Sequence, residues 1–324
     1  MNAFGQTLKK TLHLFLLIIV VFCNSCKKDK LVTSTGTADG YVSLKDFYHK
    51  NEVQAQTFTI NASAGGSFTT AKGTQVTIPQ SCFVDKNGTL VTGAVTIEFK
   101  DIYQKSDMLL SDMPTMLRGG APLKSGGEFF IRVKSGGDVV QISPNSSNPI
   151  TVKQPLNGWP LDSGMQAFVL SPADTLGWGQ DSSFVSQDTS ASAYVFYLYT
   201  FNSPLDSGTW CNSDNPGYFA TFPQGQLTLH ASNTPTTSFP DVFLLFKNQN
   251  SMVHVYSGIG NDFPYWYAPL GLQCTMVAVG VGSNGKLYSS FVPITINSVN
   301  QSVSFSLSET TTADFKTELS TLNH

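Results

Sequence analysis

Ala94-Val95-Thr96-Ile97-Glu98-Phe99 is the stretch that decides the fold. Val95, Ile97 and Phe99 alternate with Thr96 and Glu98, a period of two that sends one row of side chains into a core and the other toward water. The same period recurs in Thr57-Phe58-Thr59-Ile60 and Gln75-Val76-Thr77-Ile78. Phe129 to Val133, Ile150-Thr151-Val152 and the apolar run Tyr194 to Phe201 read as further strands. Breakers separate them: Gly65-Gly66, Gly73, Asn87-Gly88, Gly119-Gly120, Gly126-Gly127 and Gly136-Gly137. Asn-Gly favours turns that need positive φ, so Asp85 to Gly88 is expected to join two strands. Farther on, Val242 to Phe246, Met252 to Tyr256 and Cys274 to Val281 read as strands, and Asn284-Gly285 predicts a hairpin to Lys286–Ile296. Ser302 to Leu307 adds one more. The expectation is an all-β chain of two antiparallel β-sandwich domains, over 56–200 and 241–324, with a junction at 201–240. Leu44 to Lys50 is read as a short helical turn. Phe315, Leu319 and Leu322 share one helical face behind capping threonines, which predicts a C-terminal helix packed on the second domain.

The 324 residues suffice for roughly two domains with proper cores. Only 13% of residues are charged, while Ser, Thr, Asn and Gly abound, as in exported β-rich proteins. Loss of a leader carrying Lys9 and Lys10 but no acid would leave 17 basic against 22 acidic residues, a net charge of −5. Such a surface does not attract nucleic acid or anionic lipid, so no nucleic-acid partner is expected.

The first 26 residues carry a second message. Lys9 and Lys10 precede an apolar run from Leu12 to Phe22, then Asn24-Ser25 lead into Cys26 and Lys27-Lys28-Asp29-Lys30. That is the layout of an export signal, and the run is well short of the roughly 20 residues a spanning helix needs. Ser25 before Cys26 is small and Phe22 before Cys23 is bulky, which favours Cys26 at the cleavage site. The segment resembles the lipobox of bacterial lipoproteins, and Cys26-Lys27-Lys28-Asp29 resembles the start of mature lipoproteins from the Bacteroidota. The resemblance implies a signal peptide over 1–25, lipid attachment at Cys26, a flexible tether over 26–55, and a place at the cell outer membrane. Which face of that membrane the body occupies stays open. Several acyl chains make a lasting anchor without a protein helix.

A further resemblance concerns the body. Gly65-Gly66, Gly73-Thr74, Val76-x-Ile78-Pro79, Phe83, the run Gly93 to Phe99, Asp107-Met108 and Ser125-Gly126-Gly127-Glu128-Phe129-Phe130 are similar to the ZU5-related β domain of exported Bacteroidota proteins. It covers about 56–200, more loosely through Met165, Phe168 and Trp178. ZU5 domains are chiefly interaction modules, which implies a protein partner rather than catalysis. One subset cleaves itself at His-Phe-Ser; no histidine here precedes Phe. The C-terminal part resembles Ig-like modules in architecture alone.

Sites of chemistry are sparse. No Cys-x-x-Cys survives maturation and no two histidines are close in sequence, so no metal site and no cofactor is expected. His230 and His254 lie in readable strands and are expected to face solvent, and no nucleophile or oxyanion donor is identifiable, so no catalytic residue is assigned. A cryptic hydrolase remains a rival reading. Glu98, Asp101, Glu128 and Asp241 cannot be paired from sequence. Of Cys82, Cys211 and Cys274 at most one pair can close; Cys211 with Cys274 is the expected pair, with three free thiols equally open. Phe263-Pro264-Tyr265-Trp266-Tyr267 is either core or an aromatic platform for a glycan through Tyr265, Trp266 and Tyr267. Asp174-Thr175-Leu176 resembles the short O-glycosylation motif of Bacteroidota exported proteins, which would place a sugar on Thr175.

Overall fold

Val95, Ile97 and Phe99 share one fully buried face of the strand Ala94–Ile102, as their alternation requires. A computed structural model describes residues 40–171, 174–201 and 208–324. The strand Ala94–Ile102 pairs antiparallel with Gln56–Asn61 on one side and with Lys124–Ser135 on the other. Thr209–Asn215, Gln166–Ser171 and Asp174–Gln180, with the short Asp138–Val139 paired to Lys124–Ser135, complete that sheet. A second sheet runs Phe184–Asp188, Ala193–Leu198, Ile150–Pro155, Gln75–Ile78 and Gly66–Thr69. Between them lie Val76, Ile97, Phe99, Phe129, Ile131, Val152 and Phe196, the core of a β-sandwich. The Asp85–Gly88 turn is present: Gly88 takes φ +78° and the Asp85 carboxylate accepts from the Asn87 and Thr89 amides.

A second sandwich follows. Its five-stranded sheet runs Met252–Val255, Asp241–Phe246, Gln273–Val281, Leu287–Thr295 and Ser308–Thr310. The Asn284-Gly285 hairpin forms, pairing Val281 with Leu287. A three-stranded sheet of Asp262–Pro269, Gln224–Ala231 and Asn300–Phe305 closes the core, and its last pair is parallel, the exception among the strand pairs of the described residues.

Three helices fill the space between the sandwiches: α1 (Leu44–Asn51), α2 (Lys105–Leu110) and α3 (Thr312–Ser320). Ser43 caps α1 and Thr311 caps α3, each accepting from an amide three residues on. Phe47 of α1 packs edge-on against Phe315 of α3, with centroids 5.7 Å apart. One continuous apolar cluster joins Tyr41, Phe47, Met108, Leu109, Phe168, Trp178, Phe243, Val277 and Phe315.

Two expectations about organisation are corrected. Residues 40–55 are not tether, because Phe47 and Tyr48 are buried and the Tyr41 amide bonds the Gly285 carbonyl at 2.8 Å. Nor is 201–240 a junction throughout: Thr209–Asn215 is an interior strand of the first sandwich and Gln224–Ala231 one of the second. The crossing is confined to 216–223. The two sandwiches are also stitched together, as Thr115 bonds Met252 and Ser125 bonds Asn250 through their main chains. Among the described residues no helix is long and apolar enough to cross a membrane.

Phe47→Ala removes a fully buried ring from this shared cluster. A loss of about 3–5 kcal/mol is expected in denaturant unfolding; a tether residue would show none.

Candidate functional site

The strand Asp262–Pro269 lies at the edge of its sheet and pairs only with Gln224–Ala231. Strict alternation would put either Trp266 or Tyr267 inside. It is broken by a register shift: Gly225 faces Ala268 and Leu227 faces Tyr265, so Gln226 alone opposes two residues. A bulge of this kind re-aims side chains. Trp266 is 63% exposed and Tyr267 39%, while Tyr265 is only 4% exposed. The aromatic platform expected over three residues is therefore two rings wide, since Tyr265 belongs to the core of the second sandwich. The Tyr267 ring lies on the Gly119-Gly120 turn, where a Cβ on Gly120 would come within 3.7 Å of it. Gly120 has φ +91°, a conformation that side chains disfavour.

Concavities also lie elsewhere among the described residues. One, of about 530 Å³, is lined by Tyr48, Asp112, Phe239 and Asp241 among others. Two of its polar groups are engaged with each other, as Tyr48 Oη donates to Asp241 Oδ2 at 2.8 Å, and His254 Nε2, behind the lining, lies 3.4 Å from Asp241 Oδ1. His254 is stacked between Phe243 and Tyr256 rather than turned freely to solvent. His230, by contrast, is on the surface beside Asp262, 2.7 Å away. A second concavity, about 370 Å³, holds Lys105, Lys247, Gln273 and Cys274. Lys105 is 1% exposed, and burial pulls its ammonium down to about 8. Its Nζ donates to the Phe246 carbonyl at 2.7 Å, which ties α2 to the second sandwich.

No protein-family model matches this chain, and no curated protein matches it.

The other sequence candidates fall as follows. Cys26 lies outside the described residues, and so does the side chain of Thr175, whose backbone is in the strand Asp174–Gln180. Cys211 and Cys274 are not a disulfide: both are free, buried in different cores, and burial raises both thiols, Cys274 to about 12. Cys82 is a buried free thiol as well. Among the carboxylates, Glu98 bridges Arg132 and Lys134, and Asp101 accepts from Thr70 and Thr74 at 2.5 and 2.6 Å. Sequence reading named Glu128 without a partner and missed Asp214; the two share a fully buried region. The signal available was Glu128 directly ahead of the apolar run Phe129-Phe130-Ile131.

Lys105 gives a pH test with a definite sign. Its folded value near 8 lies below the ordinary 10.5, so at neutral pH the fold carries a buried charge at a cost on the order of 3 kcal/mol. From about pH 8 to 10.5 the unfolded chain binds more protons, and stability rises with pH from this group. Wild type should therefore gain on Lys105→Met across that window in urea titrations; parallel curves would refute it.

Proposed function

We propose that this is a lipid-anchored, non-enzymatic binding or scaffolding module of the cell outer membrane, facing its partner with the Trp266-Tyr267 bulge. The observation that carries the binding reading is two adjacent rings held outward on an edge strand. Two consecutive exposed aromatics break the alternation that burial would impose, and aromatic rings provide large contact area at small entropic cost. The anchor rests on the sequence of residues 1–30, and the interaction role on the likeness of residues 56–200 to ZU5-related domains.

The leading partner is a protein. A glycan is the second reading, favoured by the exposed Trp266 ring next to Tyr267, whose own ring lies on the Gly119-Gly120 turn, since sugar rings stack on such surfaces. A photo-crosslinker placed at position 266 in cells should give one discrete protein adduct that a probe at Lys316 does not. Binding on a glycan array, abolished by Trp266→Ala, would give the answer to the sugar reading instead, and neither signal would end the proposal for this surface.

The anchor is tested separately. Cys26→Ser should move the intact chain from the envelope pellet to the soluble fraction and abolish incorporation of labelled fatty acid. A variant that still pellets without lipid would overturn it.

A further inference from the structure

Glu128 and Asp214 are two fully buried carboxylates with no hydrogen-bond partner on any of their four oxygens. Burial pushes both well above the usual carboxylate range, and Asp214 raises Glu128 further. Ser125 and Asn212 lie beside Asp214 and draw it back slightly without completing a hydrogen bond. Among the described residues no basic side chain acts on either acid.

The surroundings are built, not accidental. Glu128 sits opposite Asn212, and Ser125 opposite Asp214, across adjacent strands with a register shift between. Ser125 Oγ donates to Asn212 Oδ1 at 2.8 Å and accepts from the Gly127 amide at 3.0 Å. Gly127 has φ +128°, and a Cβ there would meet the Tyr103 ring at 2.4 Å, so only glycine keeps this bend. From the second sandwich Asn250 docks on the same spot: its carbonyl accepts from the Ser125 amide at 2.8 Å and its Nδ2 donates to the Ser125 carbonyl at 3.1 Å. That fixes the amide's orientation and leaves Asn250 Oδ1, 1% exposed, unpartnered.

The balance of charge and hydrogen bonding identifies what is needed. Five buried acceptor oxygens stand without partners, Oε1 and Oε2 of Glu128, Oδ1 and Oδ2 of Asp214, and Oδ1 of Asn250. The one spare donor among these residues is Asn212 Nδ2. Two protons would neutralise the acids and, with Asn212 Nδ2, supply enough donors for the remaining acceptors, but that amide reaches none of them, and leaving a buried polar atom unpaired costs about 1–3 kcal/mol. A divalent cation cancels two negative charges at one centre and offers a partner to oxygens that no donor serves. The donors are all oxygen, which selects a hard ion, and two carboxylates able to bind through both oxygens suit Ca²⁺, with six to eight ligands, better than Mg²⁺, which keeps its waters.

The geometry points to a structural calcium site formed by Glu128, Asp214 and Asn250, with Asn212 as its positioning residue, between the two sandwiches. Only two of its side chains are carboxylates, and among the described residues no group of three or more His, Cys, Asp or Glu is placed to hold a metal. The third side-chain ligand is an amide, contributed from the other sandwich. The site is independent of the bulge surface and of the anchor.

The test uses the purified full-length chain, unfolded and refolded in excess calcium or in EGTA, because an enclosed ion exchanges slowly. Elemental analysis should find about one calcium per chain after refolding with the ion. Calcium should raise the melting temperature by about 5 °C or more over EGTA. Tb³⁺ should give emission sensitised by Trp210, two residues from Asn212 on the same strand, and calcium should quench it. In Glu128→Gln and Asp214→Asn the calcium response should vanish, with melting at or below that of the EGTA-treated wild type. Wild type that holds no calcium and melts alike in both buffers would overturn the site, as would variants more stable than the calcium-loaded parent. Should neither variant fold, the metal content and melting shift of the wild type decide alone.

Discussion

Two neighbouring strands, Asp241–Phe246 and Gln273–Val281, are buried on both faces, and the rest of the molecule is arranged around that constraint. Val242, Leu244 and Phe246 fill the core of the second sandwich, while Phe243 and Leu245 point the other way into the helical layer. Met276 and Ala278 follow the first set, Val277 and Val279 the second. A sheet with two apolar faces needs a cover on each side. The three-stranded sheet covers one; α1, α2, α3 and the outer face of the first sandwich cover the other. The molecule therefore has three cores in series, and the middle one cannot be completed by either half of the sequence alone.

This arrangement explains what the sequence made legible. Strands with one wet face, such as Ala94–Ile102, announce themselves by alternation, and the Asn-Gly turns at 87–88 and 284–285 need positive φ whatever surrounds them. The C-terminal helix was readable from Phe315, Leu319 and Leu322. Trp210-Cys211-Asn212-Ser213-Asp214 was not, because both faces of that strand meet polar partners inside the protein and no period of two in hydrophobicity survives. Ser213 donates to Gln154 across the first core, whereas Asn212 faces Ser125 on the other side. The short helix α1 was foreseen, but its burial depends on Phe315 and Val279, more than two hundred residues away.

The candidate sites divide in the same way. An aromatic run can be found by eye, but which of its rings is wet is set by one bulge, and a bulge is a property of two strands in register. The buried acids were harder still. Asn250 reaches them from a turn of the other sandwich, so the three side chains are spread over more than 120 positions and no spacing rule would collect them. Cys211 and Cys274 show the reverse case: proximity in the second half of the sequence suggested a bond, and separate cores forbid it.

The docking of Tyr41 and α1 has a mechanical side. A pull on the chain ahead of Gly40 meets first the Tyr41 amide bonded to Gly285, then Phe47 wedged against Phe315. Load thus enters at the middle layer, where both sandwiches converge, and not at a free end of an outer sheet. Tension from upstream would be shared between the two halves, so that stretching would have to shear aromatic packing before any strand could be peeled away.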